Sequence, residues 1–370
     1  MGGTYRIRTA ESSAEKVAAF RLRYELYVAA QGLFMAQADH AERQLTDAHD
    51  ASSDIFLAEA DGELVGTFRC TWGAVAPFSR SVREATQLDV FRDLVEQRDI
   101  ALGTYLAVDP AHRRQGLGPR LIGELCEYMA RRDIELLVAY CRPRLARYYW
   151  RLGFRPYGRL YHHPTNGVRV PIVLVAGDLE HLSHVGSPLL EPLSRCRAPA
   201  CGLDRLRSLL ECEKPPIDFL TTRNAEGYRR ETMCRLAESD LRSVLERLDP
   251  VEIDALVERC YDLRCEAGQP LWRARQYSQT AFVLLEGTLH RRIDLTIIDR
   301  LEQPGAVVGA PAVGGWADAG SAPPAARQTY DLVAGPRGAR VLGLPADLLT
   351  SIPYALPPPG VLIQTVNPRP

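Results

Sequence analysis

The stretch LAVDPAHRRQGLGPRLI, residues 106–122, reads as the end of a strand, a glycine-containing turn and the start of a helix. Upstream, ALGTYLAV is an apolar run that stops at Asp109-Pro110; downstream, RRQGLGPRLIGELCEYMARR carries Leu121, Ile122, Leu125, Cys126 and Met129 on one helical face. Between the two, Arg113, Arg114, Gln115, Gly116, Leu117 and Gly118 follow the pattern Arg-x-x-Gly-x-Gly. Glycines there remove side chains that would block close approach, so successive backbone N–H groups and the positive helix end can surround a phosphate. Arg113, Arg114 and Arg120 add charge to the same place, and Pro119 suits a first helical turn. Taken alone, the motif also fits a tight turn with surface arginines.

The neighbouring segments give that motif a context. Ser12 and Glu15 form a capping box, and Val17, Phe20, Tyr24, Tyr27 and Val28 then recur at helical spacing until Gly32. DIFLAEA and ELVGTFRCTW are strand-like runs joined by Asp61-Gly62, the dipeptide of a type I′ hairpin. A helix is predicted near Ser81 to Glu96. After the glycine motif and its helix come the strand ELLVAYC, the short helix RLARYYWRLG closed by Gly153, and the late strand GVRVPIVLVAG. The order is β-rich, then βαβα, then β.

LAVDPAHRRQGLGPRLI followed by YYWRLGFRPYG resembles the paired motifs of the Gcn5-related N-acetyltransferase (GNAT) superfamily. The resemblance implies an α/β fold, a mixed sheet with flanking helices. It also implies a split between two parallel strands, into which the pantetheine arm of an acyl thioester inserts along Leu106, Ala107 and Val108. The donor's phosphates would sit on the loop Arg113 to Gly118, with Arg114, Gln115, Gly116, Leu117 and Arg120 contributing. Tyr149 matches the superfamily's general acid toward the departing thiolate; an aromatic residue at helical spacing is also a candidate for core packing. ALGTYLAV offers no carboxylate before Asp109, so no general base is named from this strand.

FRLRYELYV, TDAHD and VGTFRC resemble the N-terminal signatures of acyl-homoserine-lactone synthases and N-acyl amino acid synthases, and the tail NGVRVPIVLVAGDLEHL is similar to the late strand and helix of the latter. Arg23, Asp47, Asp50 and Arg69 occupy the matching Arg, Asp-x-x-Asp and Arg positions, which implies an acceptor pocket. The same charges would equally serve as a network tying the first helix to the sheet. Leu102 and Tyr105 stand where the lactone synthases carry a Glu-x-x-Arg pair, so S-adenosylmethionine is a poor fit as acceptor.

Three segments are expected: residues 1–185 as the acyltransferase domain, 186–248 as a linker with its own helices, and 249–370 as a small all-β, jelly-roll-like domain. In the last, AGQPLW, AFVLLEGTL and GAVVGAP resemble the cyclic-nucleotide-binding domain. That family holds the ribose with an acidic residue after its cassette glycine, whereas Ala310 follows Gly309 here. Arg327 arrives only after the insert GGWADAGSAPPAAR. A degenerate domain for docking, dimerisation or substrate contact is the reading. The Pro-rich end PYALPPPGVLIQTVNPRP reads as an extended tail.

Composition narrows the function classes. The chain has 370 residues, 45 Lys plus Arg against 46 Asp plus Glu, and a net charge of −1, so no global basic field gathers nucleic acid or anionic membrane. Nine irregularly spaced Cys argue for reduced thiols rather than a disulfide scaffold. His181, His184, Cys196, Cys201 and Cys212 lack the paired short spacing of zinc motifs, so no metal is expected. The first residues lack a signal-peptide progression and no apolar run is long enough to span a bilayer, which gives a cytoplasmic location as the expectation. The functional expectation is an N-acyltransferase moving an acyl group from acyl-CoA or an acyl carrier protein to a primary amine, with a homodimer left open. Two alternatives stand: an acetyl-CoA-dependent N-acetyltransferase of a protein lysine or small amine, regulated through the C-terminal domain, and a non-enzymatic ligand sensor or interaction protein.

Overall fold

The computed structural model describes residues 5–30, 35–163, 167–197, 199–212, 215–221, 223–278, 280–309 and 326–345. The chain divides into two units, one of residues 1–161 and 169–215, the other of residues 162–168 and 216–370.

The first unit is built on a mixed sheet. Its strands are β1 (Arg6–Thr9), β2 (Ser53–Ala60), β3 (Glu63–Trp72), β4 (Ile100–Val108), β5 (Leu136–Cys141), β6 (Arg155–Pro156) and β7 (Gly167–Val175), in the order β1-β2-β3-β4-β5-β7-β6. Among the described residues, only β4 and β5 run parallel; the other pairs described are antiparallel. A parallel pair requires a crossover, and the helix that follows the glycine motif supplies it. This is the mixed sheet with flanking helices that the motifs imply.

Local chemistry accounts for the elements. Helix α1 (Ser13–Arg23) begins at the Ser12–Glu15 capping box, both halves of which form. Asp61 and Gly62 both take positive φ, 51° and 84°, the type I′ geometry that joins β2 to β3. Helix α3 (Leu117–Ala130) buries Leu117, Leu121, Ile122, Leu125, Cys126 and Met129, each large apolar side chain contributing roughly 1.5–3 kcal/mol. Two sequence expectations need correction. The first helix does not run on regularly past Arg23 but widens into a π-helical turn, Tyr24–Ala29; the predicted end at Gly32 lies outside the described residues. The helix predicted near Ser81 to Glu96 is instead α2 (Arg80–Thr86), ended by left-handed Gln87 and followed by a 3₁₀ turn, Leu88–Phe91. A residue with φ of 48° cannot continue an α-helix.

The segment expected as a linker, 186–248, is shared between the units. Ser187 donates to the Leu152 carbonyl at 2.8 Å. Leu206 and Leu210, from the helix Leu203–Cys212, join a core cluster with Leu102, Val138 and Val173. Buried Asp178 accepts from Arg207 Nη2 at 2.6 Å and pairs with Arg155. The apolar face and the ion pairs bind this helix to the first unit's core; its punctuated composition carried no trace of that.

The second unit is an antiparallel sheet in which β8 (Ile217–Phe219), β9 (Tyr261–Cys265), β14 (Asp331–Pro345), β11 (Thr280–Ile293) and β12 (Thr296–Leu301) follow one another. Strand β10 (Pro270–Trp272) is added on β14 and β13 (Val307–Val308) on β11. Leu236 and Leu256, from the helices Ala225–Ala237 and Pro250–Arg259, pack with Val283, Leu285 and Leu342 of the sheet. Buried Trp272 stacks on Phe282, with ring centroids 5.8 Å apart, and a Cβ on Gly309 would fall 2.5 Å from the Trp272 ring. Ala310, most of the insert before Arg327 and the Pro-rich tail lie outside the described residues.

Candidate active site

Strands β4 and β5 pair at Ile100↔Leu136, Ala101↔Leu137 and Leu102↔Val138, and there the pairing ends. On its other side β4 stays bonded to β3, at Arg69↔Thr104 and Thr67↔Ala107, with a register shift between. The shift centres on Tyr105, whose φ of 51° is a left-handed conformation that aromatic residues rarely adopt. Such a bulge bends a strand and re-aims its side chains. From Gly103 onward β4 is therefore no longer paired with β5, and there the Leu106 carbonyl accepts instead from Tyr27 Oη at 2.7 Å.

The glycine loop lies at the far end of β4. Arg114 and Gly116 take positive φ, 62° and 79°, Gly116 being the N-cap of α3. Arg113, Arg114, Gln115 and Gly116 are exposed. Gln115 is held by Tyr5, whose hydroxyl donates to Oε1 at 2.9 Å, and Arg113 Nε donates to the Val108 carbonyl at 3.0 Å. Arg120, in the first turn of α3, covers the Tyr5 ring at 5.4 Å. A Cβ on Gly118 would sit 3.0 Å from Tyr148 Oη, so this glycine admits close approach. The six residues Arg113 to Gly118 thus present an exposed helix N-terminus with arginines beside it, a chemistry suited to an anion.

The four charged residues singled out upstream converge. Arg23, fully buried, donates through Nη1 to Asp50 Oδ1 at 2.7 Å. Arg69 Nη1 lies 3.2 Å from Asp50 Oδ2, and Nη2 donates to Asp47 Oδ2 at 3.0 Å. Tyr105 ties the set to the bulge: its hydroxyl donates to Asp47 Oδ2 at 3.1 Å. The guanidinium groups of Arg23 and Arg69 lie 4.7 and 4.6 Å from its ring centre. Burial pushes the Asp47 carboxyl up, but the bonds and charge of Arg69 outweigh it and hold the group below its ordinary range. Burial lowers Arg23 despite Asp50, and its Nε and Nη2 are buried without a partner among the described residues.

Tyr149, on helix α4 (Ala146–Arg151), meets Tyr148 and Phe154 edge-on at 5.3 and 5.4 Å. Burial holds its phenol well above the ordinary value, with Cys141 and Tyr27 adding to the shift. Cys141 ends β5 and Tyr27 bonds the Leu106 carbonyl of β4; with burial, their influence keeps the Tyr149 phenol protonated. Arg142, directly after β5, falls to about 10 through burial and then through Arg169 and Arg144. Sequence reasoning assigned no role to Tyr27, Tyr105 or Arg142. The signal for Tyr105 was its place in the slot of the missing pair. In the sequence Tyr27 stands only as one of the residues that recur at helical spacing after Ser12. Among the described residues, no three His, Cys, Asp or Glu side chains converge as a metal site would require, and no helix is long and apolar enough to cross a membrane.

A search of curated proteins gives no match. The family model described as "FeeM: N-acyl amino acid synthase" matches residues 18–178. Among solved structures, FeeM, an N-acyl amino acid synthase from uncultured soil microbes, is 18% identical, over 51% of this chain and 98% of its own, with a TM-score of 0.41. BjaI, a CoA-dependent acyl-homoserine lactone synthase solved with SAM and isopentyl-CoA, is 16% identical over 52% of this chain and 98% of its own, with a TM-score of 0.41. The AHL synthase LasI is 17% identical over 50% and 96%, with a TM-score of 0.38. The family match runs from α1 through the Arg23 to Arg69 network, the split and the glycine loop to the end of β7, and it makes the N-terminal unit of this chain an N-acyltransferase with a GNAT-like fold.

Proposed function

We propose that this enzyme moves an acyl group from a phosphopantetheine thioester, carried by CoA or by an acyl carrier protein, to the nitrogen of a primary amine. The observation that carries the reading is the end of β4–β5 pairing at Leu102↔Val138, on the strand that leads into the glycine loop. An extended arm with amide groups can add to the open edge at Leu106, Ala107 and Val108 as a strand would. Its phosphate then meets the loop of Arg113, Arg114, Gln115, Gly116, Leu117 and Gly118, with Arg120 alongside. The neutral amine attacks the thioester carbon, the C–S bond breaks, the thiolate takes a proton from Tyr149, and the proton lost by the amine passes to water, from which the Tyr149 phenol is restored. Arg23, Asp47, Asp50 and Arg69 form the acceptor side, with Asp47 the most open of the four, its side chain 25% exposed. Asp47 is too acidic in this setting to be a strong base, which suits a role in orienting the amine.

The second unit is proposed as a degenerate cyclic-nucleotide-binding-like domain used for docking, dimerisation or substrate contact, and the location as cytoplasmic. The test is amine-dependent thiol release from octanoyl-CoA and octanoyl carrier protein across an amine panel. A donor and amine pair that releases thiol faster than acetyl-CoA does supports the reading; release that no amine accelerates overturns it.

A further inference from the structure

Tyr27 lies four residues beyond Arg23, on the π-helical turn Tyr24–Ala29. Turns of this kind are rare and recur at functional sites. Its hydroxyl donates at 2.7 Å to the carbonyl of Leu106, four residues past the last β4–β5 pair at Leu102. A half-buried carbonyl on a strand edge that must stay open for a ligand would be left without a partner whenever the ligand is away. Here a side chain from another element provides that partner. Burial pushes the Tyr27 phenol up to about 12, so it stays a neutral donor across the physiological range.

We propose that the Tyr27 hydroxyl is a removable stand-in for an amide N–H of the thioester donor: it caps the Leu106 carbonyl in the free enzyme and is displaced when the donor's arm pairs with β4. This rests on the donor reading above and adds to it a residue that sets donor affinity. The turn is rooted at Arg23, fixed on Asp50 at 2.7 Å, so the displacement is a movement of residues 24–29 about that anchor. Edge contact of Tyr27 with the Tyr105 ring, at 6.1 Å between centroids, survives removal of the hydroxyl.

The experiment is calorimetry of the full-length protein and its Tyr27→Phe variant with octanoyl-CoA and octanoyl carrier protein, without amine. Since no bond need be broken in the variant, its Kd should be lower than that of the parent by about fivefold, the equivalent of one ordinary hydrogen bond. The donor-free variant should melt below the parent, and saturating donor should close the gap. Unchanged or weaker binding by the variant overturns the inference while leaving the donor reading intact; failure of the parent to bind either donor overturns both. Hydrogen exchange of residues 24–29 in the unmodified protein gives a second readout, faster on donor binding if Tyr27 is displaced and slower if it is not.

Discussion

The guanidinium of Arg69 lies 4.6 Å from the ring centre of Tyr105, and both residues bind the same carboxylate, Asp47. A β3 residue and the bulge of β4 thus share one acidic partner. The charged network and the bulge are thus joined at Asp47, through a residue whose φ is 51°.

Asp50 and Asp47 should separate by substitution. Asp50 accepts from Arg23, pairs with Arg69 and is almost wholly buried, so Asp50→Asn leaves a buried guanidinium short of charge. Urea unfolding should register a loss of about 3 kcal/mol. Asp47→Asn, at the more open end, should melt closer to the parent and act chiefly on the acceptor, raising its KM. An Asp47→Asn enzyme with parental acceptor KM removes Asp47 from the acceptor side.

Gly118→Asp tests the loop. A side chain there meets Tyr148 Oη, and the added carboxylate repels the donor's phosphate at a helix N-terminus. CoA binding by calorimetry should weaken by more than about tenfold with the melting temperature nearly unchanged. Parental CoA affinity in the folded variant would exclude the loop from donor binding.

Tyr149→Phe keeps the edge contacts with Tyr148 and Phe154 and deletes the proton donor. Turnover should fall on the order of 10²-fold, whereas Tyr148→Phe should cost little. Steady-state kcat for the two variants decides which tyrosine protonates the thiolate.

His181 gives a pH signature. Burial, then the charge of Arg155, takes it from an ordinary value of 6.5 to about 4. Between those values the unfolded chain binds the proton and the folded chain does not, so stability is complete above about 6.5 and declines as pH falls toward 4. The Tm of the parent should drop over that window more steeply than that of His181→Gln. Equal slopes would mean the imidazole titrates alike in both states.

Much of this was legible in the sequence, for reasons that differ by element. Helix α3, the capping box at Ser12 and the Asp61-Gly62 turn are fixed by local periodicity and backbone preference, which a sequence displays directly. The convergence of Arg23, Asp47, Asp50 and Arg69 was visible only by resemblance, since nothing in their spacing says that a helix, a 3₁₀ turn and a strand meet. Tyr105 and Tyr27 were hidden because their roles come from a bulge and a π turn, each a one-residue irregularity imposed by tertiary packing. Gln87 broke a predicted helix for the same kind of reason: its side chain bonds Arg159, donating to the carbonyl at 2.6 Å and accepting from the amide at 2.9 Å. The helix Leu203–Cys212 was assigned to a linker because its partners, Asp178 and the core around Val138, are distant in sequence.

The most direct test of the central claim is mass spectrometry of the reaction of the full-length enzyme with octanoyl-CoA or octanoyl carrier protein and a panel of primary amines, run beside Gly118→Asp and Tyr149→Phe. The account predicts an amide-linked octanoyl product on at least one amine, formed with stoichiometric free thiol and sharply reduced in both variants. Free octanoic acid as the only product, or an amide formed equally by the variants, would contradict it.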